Sequence, residues 1–348
     1  MRVAVNLGER SYDIVVASGA RHELADVIAQ RVPDARAACV IVPSSLRAQP
    51  WCDLETGLDT TYIEIPEGES AKSLTNLESV CDALVRSGLS RRDVIVGVGG
   101  GVATDLAGFA AAVYLRGVAV VHVATTLLAQ VDAAIGGKTA VNLTAGKNLV
   151  GAFHQPAGVL CDLDVLDTLP PREVVCGQGE VAKAWLLLGR GAEELRAASR
   201  EEWIGASVAL KADIVSDDER EGGRRALLNY GHTLAHAIEA HALAGHPLDI
   251  LHGEAVSIGV AFAVRLAHRL GRVNDGVVVA HDDVLSVWGL PKELPTGLRA
   301  DDLLAAMYRD KKAHHDLTFV LPGERGFDVV PGVPSHTVRD TLLSFGAQ

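Results

Sequence analysis

Charged and amide side chains are concentrated in an otherwise apolar stretch at residues 124–156, ATTLLAQVDAAIGGKTAVNLTAGKNLVGAFHQP. A glycine stands directly before Lys138 and before Lys147, and Asp132 and Asn148 lie close to them in the sequence. Charged groups in an apolar segment are costly unless they are paired or hold a ligand, and lysine suits a phosphate. The alternative interpretation is a helix pair with a glycine-rich turn and solvated lysines. Two Gly-Lys pairs so close together favour a site for an anionic small molecule.

Histidines form a second group of side chains that could take part in chemistry. His232 and His236 are four residues apart, on one face of a predicted helix, and His252 begins another predicted helix. Catalytic metal sites combine imidazoles with a carboxylate, and Glu180, near the start of an apolar helix, is the best candidate for the carboxylate. Lys183 lies on the same face of that helix. These histidines could instead be surface residues of a helical hairpin, but the setting of His232 favours metal ligation.

A run of three glycines, Gly99 to Gly101, follows a predicted buried strand and precedes a helix of small residues. A glycine turn aimed at a helix N-terminus can bind pyrophosphate through free N–H groups and the helix dipole. The match to GxGxxG is incomplete because Thr104 occupies the third glycine position, and glycine turns after strands are common. The run follows a late strand of the sheet and not the first, which indicates a nucleotide fold other than the usual Rossmann arrangement.

These groups must be positioned by the elements around them. Strand and helix patterns alternate in the first half of the chain, which predicts a parallel sheet with helices on both faces. After Pro170-Pro171 the patterns become helical, apart from a hairpin-like insert at 317–332. We therefore predict an α/β domain at 1–169 and a helical domain at 170–348.

Composition limits the possible partners and the compartment. The formal net charge of −12 argues against nucleic acid and anionic membranes. Five cysteines without a CxxC pair fit reduced thiols. The sequence has neither a signal-peptide pattern nor an apolar run long enough to span a membrane, so we predict a cytoplasmic protein.

Over nearly its whole length the chain resembles the 3-dehydroquinate synthases, a family of sugar-phosphate cyclases. The resemblance is carried by GGGVATDLAGFAAAVYLRG (99–117), TTLLAQVDAAIGGKTAVNLTAGKNLVGAFHQP (125–156), GEVAK (179–183), SVALKADIVSDDERE (207–221), RRALLNYGHTLAHAIE (224–239), LHGEAV (251–256) and RDKKA (309–313). It implies a homodimer in which each chain has a Rossmann-like, NAD-binding α/β domain and an all-α metal-binding domain.

The resemblance also implies a role for each matching residue. Zinc or cobalt would be held by Glu180, His232 and His252, whereas His236 would contact substrate and assist proton transfer. Asp132, Lys183 and Asn229 would meet the substrate hydroxyls. The substrate carboxylate would be held by Lys211 and Arg225, and its phosphate by Lys138, Asn148, Lys311 or Lys312, and Arg116 of the neighbouring subunit. The NAD site would be lined by Lys72, Gly99, Gly100, Gly101, Asp105, Thr125, Thr126 and Lys147.

The implied reaction converts 3-deoxy-D-arabino-heptulosonate 7-phosphate to 3-dehydroquinate and phosphate in the shikimate pathway. It proceeds by transient oxidation with NAD, phosphate elimination, re-reduction and an intramolecular aldol closure. AVNLTAGKN (140–148), ERSYDIVV (9–16) and MYRDKKA (307–313) resemble instead the aminodehydroquinate synthases of antibiotic pathways, which act on an amino analogue. More distant alternatives are a metal-dependent alcohol dehydrogenase of the glycerol dehydrogenase kind and a non-catalytic relative.

Overall fold

The computed structural model describes residues 1–144, 146–243, 248–310 and 317–348. One compact unit consists of Met1–Val174 and Val208–Arg220, and a second consists of Val175–Ser207 and Glu221–Gln348. Across the described part of the chain, no helix is both long and apolar enough to cross a membrane.

The strands are β1 (Arg2–Val5), β2 (Tyr12–Ala17), β3 (Ala37–Pro43), β4 (Asp59–Ile65), β5 (Val94–Gly99), β6 (Ala119–Ala124), β7 (Lys138–Leu143), β8 (Gly146–Phe153), β9 (Gly158–Asp162), β10 (Leu317–Gly323) and β11 (Gly326–Val333). The helices are α1 (Leu24–Arg31), α2 (Ser44–Arg47), α3 (Leu74–Arg86), α4 (Gly101–Val113), α5 (Pro171–Leu187), α6 (Ala192–Ala197), α7 (Arg200–Asp217), α8 (His232–Leu243), α9 (His252–Arg269), α10 (Asp275–Ser286), α11 (Ala300–Asp310) and α12 (Ser335–Ser344).

The first unit is built on a sheet with the strand order β1-β2-β9-β6-β5-β3-β4. Its neighbouring strands run parallel except for the β1–β2 hairpin at one edge. Ile41 and Ile95 belong to a core cluster on one face of the sheet, and Val40 and Val96 belong to the cluster on the other. A strand buried on both faces needs an unbroken apolar sequence, which is why the central strands could be predicted. The predicted parallel α/β fold is confirmed.

The second unit is helical, with one two-stranded hairpin formed by β10 and β11. Helix α9 is buried along most of its length, and Phe262 within it packs against Phe319 and Phe345. A helix with so many buried apolar residues belongs at the centre of its domain. The predicted helical composition and the predicted hairpin insert are therefore confirmed.

The described residues of 124–156 do not form a helix pair, so that part of the alternative interpretation is wrong, although Lys138 is exposed. Ala129–Ala133 is a short π-helix, and β7 pairs with β8 in an antiparallel hairpin. Single π-helical turns are rare and frequently occur at functional sites. Asp132 lies within this one.

Candidate active site

Three potential metal ligands meet in the second unit. Glu180 lies on α5, and His232 and His252 are the first residues of α8 and α9. One ligand atom of each lies within 4.8 Å of those of the other two. The Nε2 atoms of His232 and His252 both lie 3.4 Å from Glu180 Oε1. Two imidazoles and a carboxylate that converge on one point form a donor set suited to zinc or cobalt.

Glycines beside the three ligands allow their backbones to come close together. A Cβ atom on Gly253, next to His252, would lie 1.7 Å from Cys176 O, and one on Gly179, next to Glu180, would lie 2.1 Å from Gly253 O. Since real Cβ atoms do not approach backbone so closely, only glycine fits at either position. The contact between α5 and α9 therefore sets the distance between Glu180 and His252.

His232 is positioned by a similar contact. Gly231, which precedes it, has a φ of +81°, and a Cβ atom on Gly259 of α9 would lie 1.9 Å from Gly231 O. His232 Nδ1 lies 3.2 Å from Tyr230 O. When Nδ1–H donates to this carbonyl, the lone pair of Nε2 is left available for a metal.

Glu180 and Lys183 form an ion pair at the centre of this group. Lys183 Nζ lies 2.5 Å from Glu180 Oε2 and donates to Leu228 O at 2.8 Å. Burial by itself would raise the pKa of Glu180, but Lys183 and the two histidines hold that pKa well below its ordinary value. Glu180 Oε1 is buried and has no hydrogen-bond partner in the part of the chain that the structure describes. A buried carboxylate oxygen in this position fits a metal ion.

The two histidines differ in their affinity for a proton. Burial, helped by the charge of Lys183, lowers the pKa of His232 to about 4. Burial also disfavours the charged form of His252, but the neighbouring carboxylates of Glu180 and Glu239 outweigh it and raise the pKa of His252 to about 10. A metal ligand must be neutral imidazole, so metal binding would displace the proton from His252.

The other expected residues of the second unit lie close by in sequence. The ring centroid of His236 lies 5.4 Å from that of His232. Asn229 Nδ2 donates to Glu221 Oε1 at 2.7 Å. Arg225 is buried, with 1% of its surface exposed. Sequence analysis missed Glu221, whose φ of +61° is unusual for a residue other than glycine. An acid directly before Gly222-Gly223 was the available signal.

In the first unit, the glycine turn meets two threonines. Strand β5 ends at Gly99 and α4 begins at Gly101, so the predicted junction of strand, glycine turn and helix is confirmed. Thr125 N donates to Gly99 O at 3.0 Å, and a Cβ atom on Gly100 would lie 2.9 Å from Thr126 Cγ2. The first N–H groups of a helix have no partner within the helix, so the N-terminus of α4 is suited to an anion or a pyrophosphate.

Lys72 connects two further residues of the expected site. Its Nζ donates to Asp105 Oδ2 and to Asn148 Oδ1, each at 2.6 Å. Burial raises the pKa of Asp105 to about 6, although Lys72 opposes the shift. The resemblance placed Lys72 and Asp105 at NAD and Asn148 at the substrate phosphate. In the structure the three form one hydrogen-bonded group.

Asp132 and Lys211 also meet within the first unit, where Lys211 Nζ lies 2.5 Å from Asp132 Oδ1. Three more of the expected basic residues lie on β7, on β8 and after α4. Lys138 and Arg116 lie at exposed positions, and Lys147 is half-buried on β8. Lys311 and Lys312 lie outside the described residues.

The chain matches two family models, 3-dehydroquinate synthase N-terminal at residues 62–176 and 3-dehydroquinate synthase C-terminal at residues 178–313. It is 51% identical to a protein of Amycolatopsis mediterranei assigned as an aminodehydroquinate synthase, over 98% of this chain and 93% of that protein. It is 44% identical to a 3-dehydroquinate synthase of Nitrobacter hamburgensis, over 98% of this chain and 94% of the relative.

Among solved structures, the chain is similar to a 2-epi-5-epi-valiolone synthase from Streptomyces hygroscopicus with NAD+ and Zn2+ bound. The TM-score is 0.82 at 28% identity, over 97% of this chain and 98% of that one. Both halves of the chain match a family model, and the relatives are similar over nearly their full length. The chain belongs to the 3-dehydroquinate synthase family of sugar-phosphate cyclases.

Proposed function

We propose that the chain converts 3-deoxy-D-arabino-heptulosonate 7-phosphate to 3-dehydroquinate and phosphate, as a lyase that uses NAD and a divalent metal. The observation that carries the proposal is the convergence of His232 Nε2 and His252 Nε2 on the unpartnered Oε1 of Glu180 within the described residues, with Lys183 on the other carboxylate oxygen. The similar valiolone synthase was solved with NAD+ and Zn2+, which supports both cofactors.

When bound, NAD supplies a reversible hydride acceptor, and zinc or cobalt supplies a Lewis acid at the substrate hydroxyl. Glu180, His232 and His252 hold the metal in this proposal. Lys183, held by Glu180 and Leu228 O, presents an ammonium group to a substrate hydroxyl. Asn229 is oriented by Glu221 for a second hydroxyl contact. His236, adjacent to His232, moves a proton.

The residues proposed to bind the cofactor all belong to the first unit. NAD is held by Gly99, Gly100, Gly101, Thr125, Thr126, Lys72, Asp105 and Lys147. Asp132 meets a substrate hydroxyl. Each anionic end of the substrate needs cations, and hydrogen bonds to charged groups are the stronger ones. Lys211 and Arg225 supply them for the carboxylate, and Lys138 and Lys311 or Lys312 for the phosphate, with help from Asn148.

The assembly and location are part of the same proposal. Arg116 is exposed, and its φ of +68° lies in the left-handed region, which residues other than glycine seldom adopt. We assign it to the phosphate site of a neighbouring subunit in a cytoplasmic homodimer. The functional division falls between a cofactor domain at 1–169 and a metal domain at 170–348.

The amino analogue is the second candidate substrate. The specific observation in its favour is the 51% identity to the relative assigned as an aminodehydroquinate synthase, compared with 44% to the 3-dehydroquinate synthase of Nitrobacter hamburgensis. Both substrates carry a carboxylate and a phosphate, so the cations proposed above suit either one. A dehydrogenase of the glycerol type would have no use for cations at two anionic ends.

The test is phosphate release from the purified enzyme with NAD+ and Zn2+ or Co2+, given the heptulosonate phosphate and its amino analogue in parallel. We expect phosphate release without net accumulation of NADH. Faster release from the amino analogue would assign the chain to an antibiotic pathway. NADH accumulation without phosphate would favour the dehydrogenase, and no reaction with either substrate would overturn the cyclase proposal.

A further inference from the structure

Helix α8 carries a third polar residue on the face of its two histidines. His232, His236 and Glu239 stand at positions i, i+4 and i+7, which lie on one side of a helix. Glu239 is buried, with 9% of its surface exposed. A buried carboxylate is costly unless it is hydrogen-bonded or paired. None of the roles proposed above involves it.

Glu239 faces a metal ligand on the neighbouring helix. Its Oε2 lies 3.3 Å from Nδ1 of His252, the first residue of α9. The other ring nitrogen, Nε2, lies 3.4 Å from Glu180 Oε1. The imidazole therefore lies between two carboxylates, one at each nitrogen.

This arrangement fixes which nitrogen can bind a metal. When Nδ1–H donates to Glu239, the lone pair of Nε2 points toward the Glu180 side of the ring. His232 obtains the same orientation from the neutral carbonyl of Tyr230. A carboxylate acceptor strengthens metal binding more than a carbonyl does, because its negative charge also makes the imidazole a stronger donor to a cation.

We infer that Glu239 is a positioning residue for the metal centre, which holds His252 with Nε2 toward Glu180 and strengthens the binding of a divalent cation. This inference rests on the proposed metal centre. In this inference Glu239 touches neither the substrate nor its reacting atoms. It acts on the metal through His252. A purely structural role would instead tie α8 to α9 whether or not a metal is bound.

The two roles differ in what a substitution changes. Removing a carboxylate that hydrogen-bonds to a metal ligand typically weakens metal affinity by about 10- to 100-fold. We expect a loss in that range for Zn2+ in Glu239→Ala and a smaller loss in Glu239→Gln, which keeps the volume and an acceptor oxygen. The matched control is Glu193→Gln on α6, which removes one exposed carboxylate from the same unit.

The experiment measures the Kd for Zn2+ by competition with a chelator, the visible absorption spectrum of the Co2+-loaded protein, and the thermal midpoint of the metal-free protein. We expect weaker binding and an altered Co2+ spectrum in both Glu239 variants, with the metal-free midpoint of Glu239→Gln near that of the wild type. If Glu239→Ala fails to fold, the Kd and the Co2+ spectrum of Glu239→Gln decide whether Glu239 supports the metal centre.

An unchanged Kd and Co2+ spectrum in Glu239→Gln and Glu239→Ala would overturn the inference while leaving the metal centre in place. Wild-type protein that binds neither Zn2+ nor Co2+ would overturn the metal centre itself, and the inference with it. A lower metal-free midpoint with an unchanged Kd would assign Glu239 to a structural role.

Discussion

Lys211 Nζ lies 2.5 Å from Asp132 Oδ1 and donates to the Asp132 carbonyl oxygen at 2.6 Å. Both oxygens belong to one residue in the short π-helix Ala129–Ala133. The widened turn of a π-helix places backbone and side-chain acceptors where an ordinary α-helix would not. Lys211 is therefore held at a fixed point, with 8% of its surface exposed.

Replacing Lys211 by Met tests whether this ammonium binds the substrate carboxylate. Methionine keeps most of the volume but removes the charge, and a hydrogen bond to a charged group is worth about 1.5–3 kcal/mol. We expect KM for the heptulosonate phosphate to rise about tenfold or more, with a smaller change in kcat. Steady-state phosphate release gives both constants. Lys292→Met is the control, at a half-buried lysine that donates to Ser286 Oγ. An unchanged KM in Lys211→Met would place the carboxylate elsewhere.

Much of the fold could be predicted because its signals are local. The apolar runs of β3 and β5 identify strands buried on both faces, and the glycines after β5 identify the turn into α4. The ligand candidates His232 and His252 were also visible, since each begins a helix pattern close to other polar residues. These features depend on residues a few positions apart.

The other residues of the proposed site have partners in distant parts of the chain. Lys72 meets Asp105 and Asn148 only because the packing of the first unit brings three separate segments together. Glu239 meets His252 because two helices pack side by side. No local pattern encodes such pairings. Family resemblance could therefore assign Lys72, Asp105 and Asn148 to binding sites without showing that they are partners, and it assigned no role to Glu239.

The substitution His232→Ala tests the metal centre directly. Loss of a residue that hydrogen-bonds to a ligand weakens metal binding by up to about 100-fold. Loss of a ligand itself should weaken Zn2+ binding by more than that. We expect little bound metal after gel filtration and no detectable phosphate release. Metal content by atomic spectroscopy and turnover are both measured, with the exposed His336→Ala as control. A His232→Ala protein with full metal content and normal turnover would remove His232 from the site.

The close contact of Gly253 with Cys176 O predicts that even one methyl group disrupts the metal centre. A Cβ atom there would lie 1.7 Å from a backbone oxygen, which cannot rotate away. We expect Gly253→Ala to lower the free energy of unfolding by about 3 kcal/mol or more, the upper part of the range for overpacking. Metal affinity should fall too, because α5 carries Glu180 and α9 carries His252.

Urea unfolding and Zn2+ titration measure the two effects. Gly191→Ala is the matched control, since a Cβ atom on Gly191 would meet nothing within 4 Å. If Gly253→Ala were as stable as Gly191→Ala and bound Zn2+ equally well, the glycine contact would not set the ligand spacing.

The raised pKa of Asp105 predicts that the stability of the cofactor-free protein depends on pH. Burial raises its pKa from the ordinary value of 3.8 to about 6, so the folded chain holds this proton more tightly than the unfolded chain. Relative to Asp105→Asn, the wild type should lose stability as the pH rises from about 4 to about 6, and the difference should then stay constant. At about 1.4 kcal/mol per pKa unit, the full change is about 3 kcal/mol.

Urea unfolding of the wild type and Asp105→Asn, followed by tryptophan fluorescence across this pH range, measures that change. Lys72 opposes the rise in pKa through its contact with Asp105 Oδ2 at 2.6 Å. In a Lys72→Met background the transition should therefore move to higher pH, because the carboxylate has lost its nearest cation. A difference between wild type and Asp105→Asn that does not vary with pH would show that Asp105 keeps its ordinary pKa, and that Lys72 fully offsets its burial.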